Sequence, residues 1–278
     1  MANSRHAVEL KGAALELGGR AIWRDLDLKV DPGEFVAILG PNGSGKTSLL
    51  KVLLGLVPLT HGTAKLAGQI PRRGSSNVGY VPQRQSFDTD LPLRGRDLVR
   101  LGLDGHTFGF GFGGAEANGI VDDAVEAVGA QEYADAPIGL LSGGEQQRLR
   151  IAQALVGDPQ VLLCDEPLLS LDLPHQRAVS NLINKRRREA KTAVMFVTHE
   201  INPILEYVDR VLYLVGGRWA IGTPDEVLTT EKLTELYGAP VDVIRVRDQI
   251  IVVGTGDTGM AVAGAHHSAH DHLSARRK

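Results

Sequence analysis

The stretch "FVAILGPNGSGKTSLLKVLLG", starting at Phe35, constrains the fold more than any other part of the chain. Its first five residues are uniformly apolar, too short a run for an amphipathic helix, and read as a buried central strand. The apolar residues after Thr47 predict a helix from about Lys46 to Leu54, with Gly55 as its C-cap. Between them lies Gly40-x-x-x-x-Gly45-Lys46-Thr47. Glycines let successive backbone N–H groups curl around an anion where a side chain would collide, and the helix start adds its positive end. In this strand–loop–helix setting the pattern reads as a phosphate-binding loop, the Walker A pattern, rather than a simple turn. Lys46 reaches the β- and γ-phosphates of a nucleoside triphosphate, and Thr47 offers its hydroxyl to Mg²⁺. Gly40, Pro41, Asn42, Gly43, Ser44, Gly45, Lys46, Thr47 and Ser48 are the candidate ATP contacts.

A second apolar run, "VLLC" from Val161, ends in Asp165 and Glu166. Two acids at a strand end are either caps for the next helix or the complement of the loop. In the second case Asp165 holds Mg²⁺ and Glu166 polarises the attacking water. Further buried strands are predicted at 193–198 and 211–215, and helices at 120–128 and 175–190. The run "KRRRE" near the end of the last helix reads as a solvated face with favourable C-terminal charge. Thr223-Pro224-Asp225-Glu226 is a helix start with a capping box. Alternation around Leu26, Leu28 and Val30 predicts a half-exposed strand, and the Asp31-Pro32-Gly33 turn separates it from the central one. Strands alternating with helices imply an α/β fold: a mainly parallel sheet flanked by helices, with a small antiparallel β-subdomain beside it. Residues 105–119, "GHTFGFGFGGAEANG", read as a loop, 241–246 and 250–253 as a hairpin, and 255–278 as a disordered His-rich tail.

Composition excludes more than it assigns. The net charge of -3 gives no general case for nucleic-acid binding, and none is expected. Cys164 is the only cysteine, which rules out an internal disulfide, and its apolar neighbours predict a core position. The N-terminal "MANSRHAVELK" has no apolar signal stretch, and no run approaches the ~18 apolar residues that span a bilayer. The chain is expected in the cytoplasm, meeting a membrane only through a partner.

"LSGGEQQR", from Leu141 to Arg148, resembles the signature of ABC-transporter ATPases. Taken alone it is a turn opening a helix, with a Glu145 capping box and Leu149, Ala152, Leu155 and Val156 on one face. Other family elements follow in order: Gln83 in "YVPQ" matches the Q-loop, Asp172 in "SLD" the D-loop, and His199 in "VTHE" the switch histidine. A lone histidine there would more often be structural; in this ordered set it reads as functional. The resemblance covers residues 8–237 and implies a P-loop NTPase of ABC type over residues 1–238, with a helical signature subdomain near 84–158. It implies a homodimer in which each ATP lies between Walker A of one copy and Ser142, Gly143, Gly144 and Asp172 of the other. Glu166 would be the general base, with His199 on the γ-phosphate. Gln83 would sense the attacking water and Mg²⁺, which Thr47 and Asp165 would hold. One position departs from the pattern: where the family has an adenine-stacking aromatic, "LELGGR" holds Leu17, and nearby Trp23 is either a platform or core.

"YVPQRQSFDTDLPLRGRDLVRLGL", from Tyr80 to Leu103, resembles manganese/zinc importer ATPases through "VPQR", Asp90 before "LP", and "DLVRLGL". In the family this region borders an integral-membrane permease, which would place the chain peripherally on the inner face of the cell membrane and link it indirectly to a solute-binding protein. The resemblance implies import of divalent metal. Iron–siderophore or another solute is the alternative cargo, and a soluble ABC ATPase without a permease is the alternative class. In the tail "AHHSAHDH", His266, His267, His270, Asp271 and His272 either bind metal or are simply solvated.

Overall fold

The computed structural model describes residues 6–83, 87–104, 114–169 and 171–254. Strands β1 (Val8–Leu17) and β2 (Arg20–Val30) form a hairpin, and β4 (His61–Leu66) pairs with the other edge of β1, giving an antiparallel sheet of order β2-β1-β4. The main sheet has six strands in the order β5 (Val78–Val81), β6 (Val161–Asp165), β7 (Ala193–Val197), β3 (Phe35–Leu39), β8 (Arg210–Val215) and β9 (Arg218–Gly222). All neighbours are parallel except β8 and β9. The predicted central strand Phe35–Leu39 is fully buried inside this sheet.

Alternate residues of each central strand feed two cores, as a period of two requires. Phe35, Ala37, Cys164, Val194 and Phe196 face one core, which contains the apolar sides of α3 (Ala115–Ala127), α4 (Gly143–Leu155) and α5 (Leu173–Ala190). Val36, Ile38, Leu163, Met195 and Val197 face the other, which holds α1 (Lys46–Leu53) and the antiparallel sheet. Helix α2 (Gly95–Asp104) packs on α4 and α3. Helices α6 (Pro224–Val227) and α7 (Thr230–Tyr237) precede the hairpin β10 (Val241–Val246) and β11 (Gln249–Gly254). Val241 and Ile250 of this hairpin are buried in the first core.

Local signals hold at several ends. Helix α1 stops in a Schellman arrangement: Gly55 N–H donates to Val52 O (2.9 Å), Leu56 N–H donates to Lys51 O (2.9 Å), and Gly55 has φ +68°. Thr223 caps α6 with the expected box, and Cys164 is buried. Two expectations are corrected. Helix α3 begins at Ala115, five residues before the predicted start, because Ala117 adds a buried position to the face of Val121, Ala124 and Val125; residues 105–113 of the expected loop lie outside the described residues. The basic run of α5 is not merely solvated. Arg187 donates to Tyr207 O (2.6 Å), pairs with Asp209 (3.0 Å) and lies over the Phe35 ring, while Arg186 pairs with Asp158 (3.2 Å). Its stem covers core while its head finds partners on the next segment, which helix periodicity does not register.

Candidate active site

Strand order brings the motifs together. In the sheet β5, β6, β7 and β3 are successive neighbours, although they come second, third, fourth and first of the six in sequence. Their carboxyl ends carry Gln83, Asp165–Glu166, Thr198–His199 and the Gly40 loop, so four separated motifs converge on one edge. Ligands of open α/β sheets bind outside the carboxyl ends of the strands.

The loop is held close to the sheet. Gly40 has φ +139°, and a Cβ there would stand 2.0 Å from the Leu214 carbonyl oxygen of β8. Gly45 has φ +96°, and its Cβ would stand 2.3 Å from Ile22 Cγ2 and about 3 Å from the Trp23 ring. Gly40→Ala is therefore expected to destabilise the fold by about 2–4 kcal/mol, because neither backbone can yield. Urea unfolding should show the loss; an unchanged midpoint would mean that the loop can move off β8. Within the loop, Lys46 Nζ donates to Gly40 O (2.7 Å) and Pro41 O (3.0 Å). Lys46 is 6% exposed, and burial lowers its pKa against the pull of Glu166 and Asp165. Ser44 Oγ is buried with no hydrogen-bond partner inside the same loop.

Thr47 Oγ1 donates to Asp165 Oδ1 (3.1 Å), joining the loop helix to the end of β6. Asp165 is 1% exposed, and burial pushes its pKa up despite Thr47 and Lys46. Thr47 and Asp165 thus present hard oxygen donors in a buried place where a cation would relieve the carboxylate. Glu166 sits just past β6 at φ +52°, and its N–H donates to Val197 O (3.0 Å). One carboxylate oxygen, Oε2, accepts from Gln83 Nε2 (3.0 Å); the other, Oε1, pairs with His199 Nε2. Gln83, Glu166 and His199 therefore form one cluster.

Ser142, Gly143, Gly144 and Asp172 make a second group. Ser142 caps α4: its side chain accepts from Glu145 N–H (3.4 Å), and Glu145 Oε2 accepts from Ser142 N–H (2.7 Å). Asp172 caps α5, accepting from His175 N–H (3.1 Å), and its hydrogen bond to the His175 ring holds its carboxyl below the usual range. Leu171 Cδ2 lies 3.5 Å from where a Gly144 Cβ would be, so the signature and D-loop segments adjoin. Helix α4 belongs to the core on the opposite face of the sheet from α1.

Trp23 is fully buried beneath Gly45, which makes it core rather than an exposed platform. Leu17 is 43% exposed at the end of β1, opposite Arg20. Sequence reasoning missed Thr198 and Asn202, which shape the segment carrying His199; no motif spacing marks either. Residues 84–86 of the manganese/zinc-like segment and the whole His-rich tail lie outside the described residues. Among the described residues no helix is long and apolar enough to cross a membrane.

Residues 23–169 match the ABC transporter family. The chain is 33% identical over 230 residues to the manganese transport system ATP-binding protein MntB of Halalkalibacterium halodurans, covering 83% of this chain and 91% of that one. Against the MntB of Bacillus subtilis strain 168 it is 33% identical over 250 residues, covering 89% and 98%. Among solved structures, a dimeric bacterial ABC transporter cassette is 27% identical with a TM-score of 0.66, covering 77% of this chain and 97% of that one. A metal-chelate type ABC transporter in an inward-facing conformation shares the fold, with a TM-score of 0.75 at 24% identity over 89% and 96%. The chain belongs to the ABC transporter family, as an ATP-binding subunit that hydrolyses ATP in transport.

Proposed function

We propose that two copies of this chain pair head to tail and drive import of a divalent metal ion, Mn²⁺ first, through a membrane permease. The observation that carries the catalytic part is the convergence of Gln83 and His199 on the two oxygens of Glu166. In this reading the Gly40–Ser48 loop and Lys46 bind the triphosphate. Glu166 accepts a proton from the attacking water, which Gln83 orients, while His199 turns to the γ-phosphate. The water oxygen bonds to the γ-phosphorus as the bond to the β–γ bridging oxygen breaks, and ADP leaves with that oxygen. Thr47 and Asp165, with Gln83 nearby, would hold Mg²⁺, which supplies charge neutralisation on the β- and γ-phosphate oxygens.

The head-to-tail pairing rests on the two cores. Helix α1, below the loop, and α4, behind Ser142, pack on opposite faces of one sheet. A second copy can bring its Ser142–Gly144 helix start, with Asp172 beside it, against the triphosphate. The cargo reading rests on the two MntB relatives and on residues 80–103. Those residues would meet the permease, placing the chain on the inner face of the membrane and linking it indirectly to a solute-binding protein.

The test is ATPase activity of the assembled transporter in proteoliposomes with its binding protein. Mn²⁺-loaded binding protein should raise hydrolysis severalfold over the empty form. Stimulation by an iron–siderophore and not by Mn²⁺ would replace the cargo, and no stimulation by any solute would favour an ABC ATPase that works without a permease.

A further inference from the structure

Besides the burial of Ile201 and Ile204, hydrogen bonds hold the segment carrying His199 at three points. Thr198 N–H donates to Ile38 O (3.2 Å), tying the end of β7 to β3. The Thr198 hydroxyl donates to Glu200 O (2.8 Å) and accepts from Glu200 N–H (3.1 Å), closing a tight turn around His199. The third point comes from the far end of the chain. Asn202 Nδ2 donates to Ile250 O (3.1 Å), and Ile250 N–H donates to Asn202 Oδ1 (2.9 Å).

That last pair has a specific geometry. Ile250 lies opposite Arg245 in the β10–β11 ladder. Both backbone groups of Ile250 are turned to Asn202, as the outward-facing position of an antiparallel pair allows. The Asn202 amide therefore pairs with β11 as one residue of a third strand would. A primary amide supplies the donor and the acceptor that this requires; a carboxylate supplies only acceptors. The hairpin has its own seat. Thr230 Oγ1 accepts from Val243 N–H (3.0 Å), Thr234 Oγ1 bonds both Val241 O and Val241 N–H (3.2 Å each), and Arg245 pairs with Asp225 (2.8 Å).

We propose that Asn202 is a positioning residue for His199, and that the C-terminal hairpin is the frame it reads. The inference rests on the assignment of His199 to the Glu166 site. If the Asn202–Ile250 bonds are lost, the turn keeps its hydroxyl closure and the burial of Ile201 and Ile204 but loses its polar link to the hairpin, and the imidazole drifts from the Glu166 carboxylate. Misplacing a reacting group by about 1 Å can cost up to two decades in rate. The triphosphate loop is anchored elsewhere, so ATP binding should be spared.

The test is a double-mutant cycle on the full-length chain: wild type, Asn202→Asp, His199→Ala and the pair, assayed for Mg-ATP hydrolysis. Asn202→Asp puts a carboxylate against Ile250 O with little change of shape. It should lower kcat about tenfold with KM for ATP changed less than about twofold. In the His199→Ala background the same substitution should change kcat by less than about twofold. An equal fall in both backgrounds, or a fall confined to melting temperature, would assign Asn202 to folding alone and overturn the proposal. If His199→Ala lowers kcat and Asn202→Asp does not, the proposal fails while the site reading stands. If His199→Ala itself leaves kcat unchanged, the site reading fails and the proposal with it. Should Asn202→Asp not fold, Asn202→Ala, which removes both bonds without adding charge, takes its place in the cycle.

Discussion

Glu166→Gln is expected to keep Mg-ATP binding and to slow hydrolysis by about two to four decades. The substitution preserves the shape of the side chain. A glutamine oxygen still accepts from Gln83 Nε2, which lies 3.0 Å from Glu166 Oε2. What it cannot do is take a proton from water. The site around it should survive, because the loop is held by Gly40, Gly45 and Lys46 rather than by Glu166. ATP should then bind and remain, and the variant should accumulate as an ATP-bound dimer. Single-turnover phosphate release gives the rate, and size-exclusion chromatography with ATP gives the association state. Turnover within about threefold of wild type would remove Glu166 from the role of base, since even modest general-base catalysis exceeds that.

The other large effect concerns the division of one site between two chains. Lys46→Ala should abolish most nucleotide affinity, because it deletes the only ammonium inside the loop and the bonds that Lys46 makes to Gly40 O and Pro41 O. Ser142→Arg should leave nucleotide binding to the loop intact and block the facing surface, at a capping cost of about 1 kcal/mol to α4. Each variant alone should be inactive. A mixed dimer, however, has one site built from the unaltered loop of one chain and the unaltered Ser142 segment of the other. Mixing two silent proteins should restore hydrolysis, and the restored rate should rise with the fraction of mixed dimers. If both remain silent together while each binds its partner, or if a monomer hydrolyses ATP as fast per chain as the dimer, the two-chain site is wrong.

The elements that sequence places correctly are those whose information is local. Gly40-x-x-x-x-Gly45-Lys46-Thr47 needs only its flanks, and Phe35–Leu39 and Lys46–Leu53 supply them. The Ser142–Glu145 and Thr223–Glu226 boxes are hydrogen bonds between residues three apart. The Gly55 stop of α1 is a property of one turn of backbone. Misreadings arise where a second element competes. The start of α3 was obscured by neighbouring glycines, and Ala117 is a weak apolar mark although it is buried. Arg187 reads as solvated along the chain because its partners, Tyr207 and Asp209, lie on a later segment. Trp23 reads either way along the chain, and only the approach of Gly45 to its ring makes it core.

By itself, then, the sequence determined the chemistry available: a phosphate loop, a strand ending in two acids, a capped Gly-Gly helix start, a glutamine and a histidine in family order. Periodicity, caps and glycine conformations act over one to four residues, so they can be read along the chain. Tertiary structure alone decided which of these groups meet. The parallel order β5-β6-β7-β3 is set by how crossover helices cover both sheet faces, a balance of burial summed over distant residues. That order places Gln83 and His199 on opposite oxygens of Glu166, with α1 and α4 on opposite faces, and the packing of the C-terminal hairpin carries Ile250 to Asn202 across 48 residues. No local pattern encodes those distances, because each depends on where the rest of the chain has already packed.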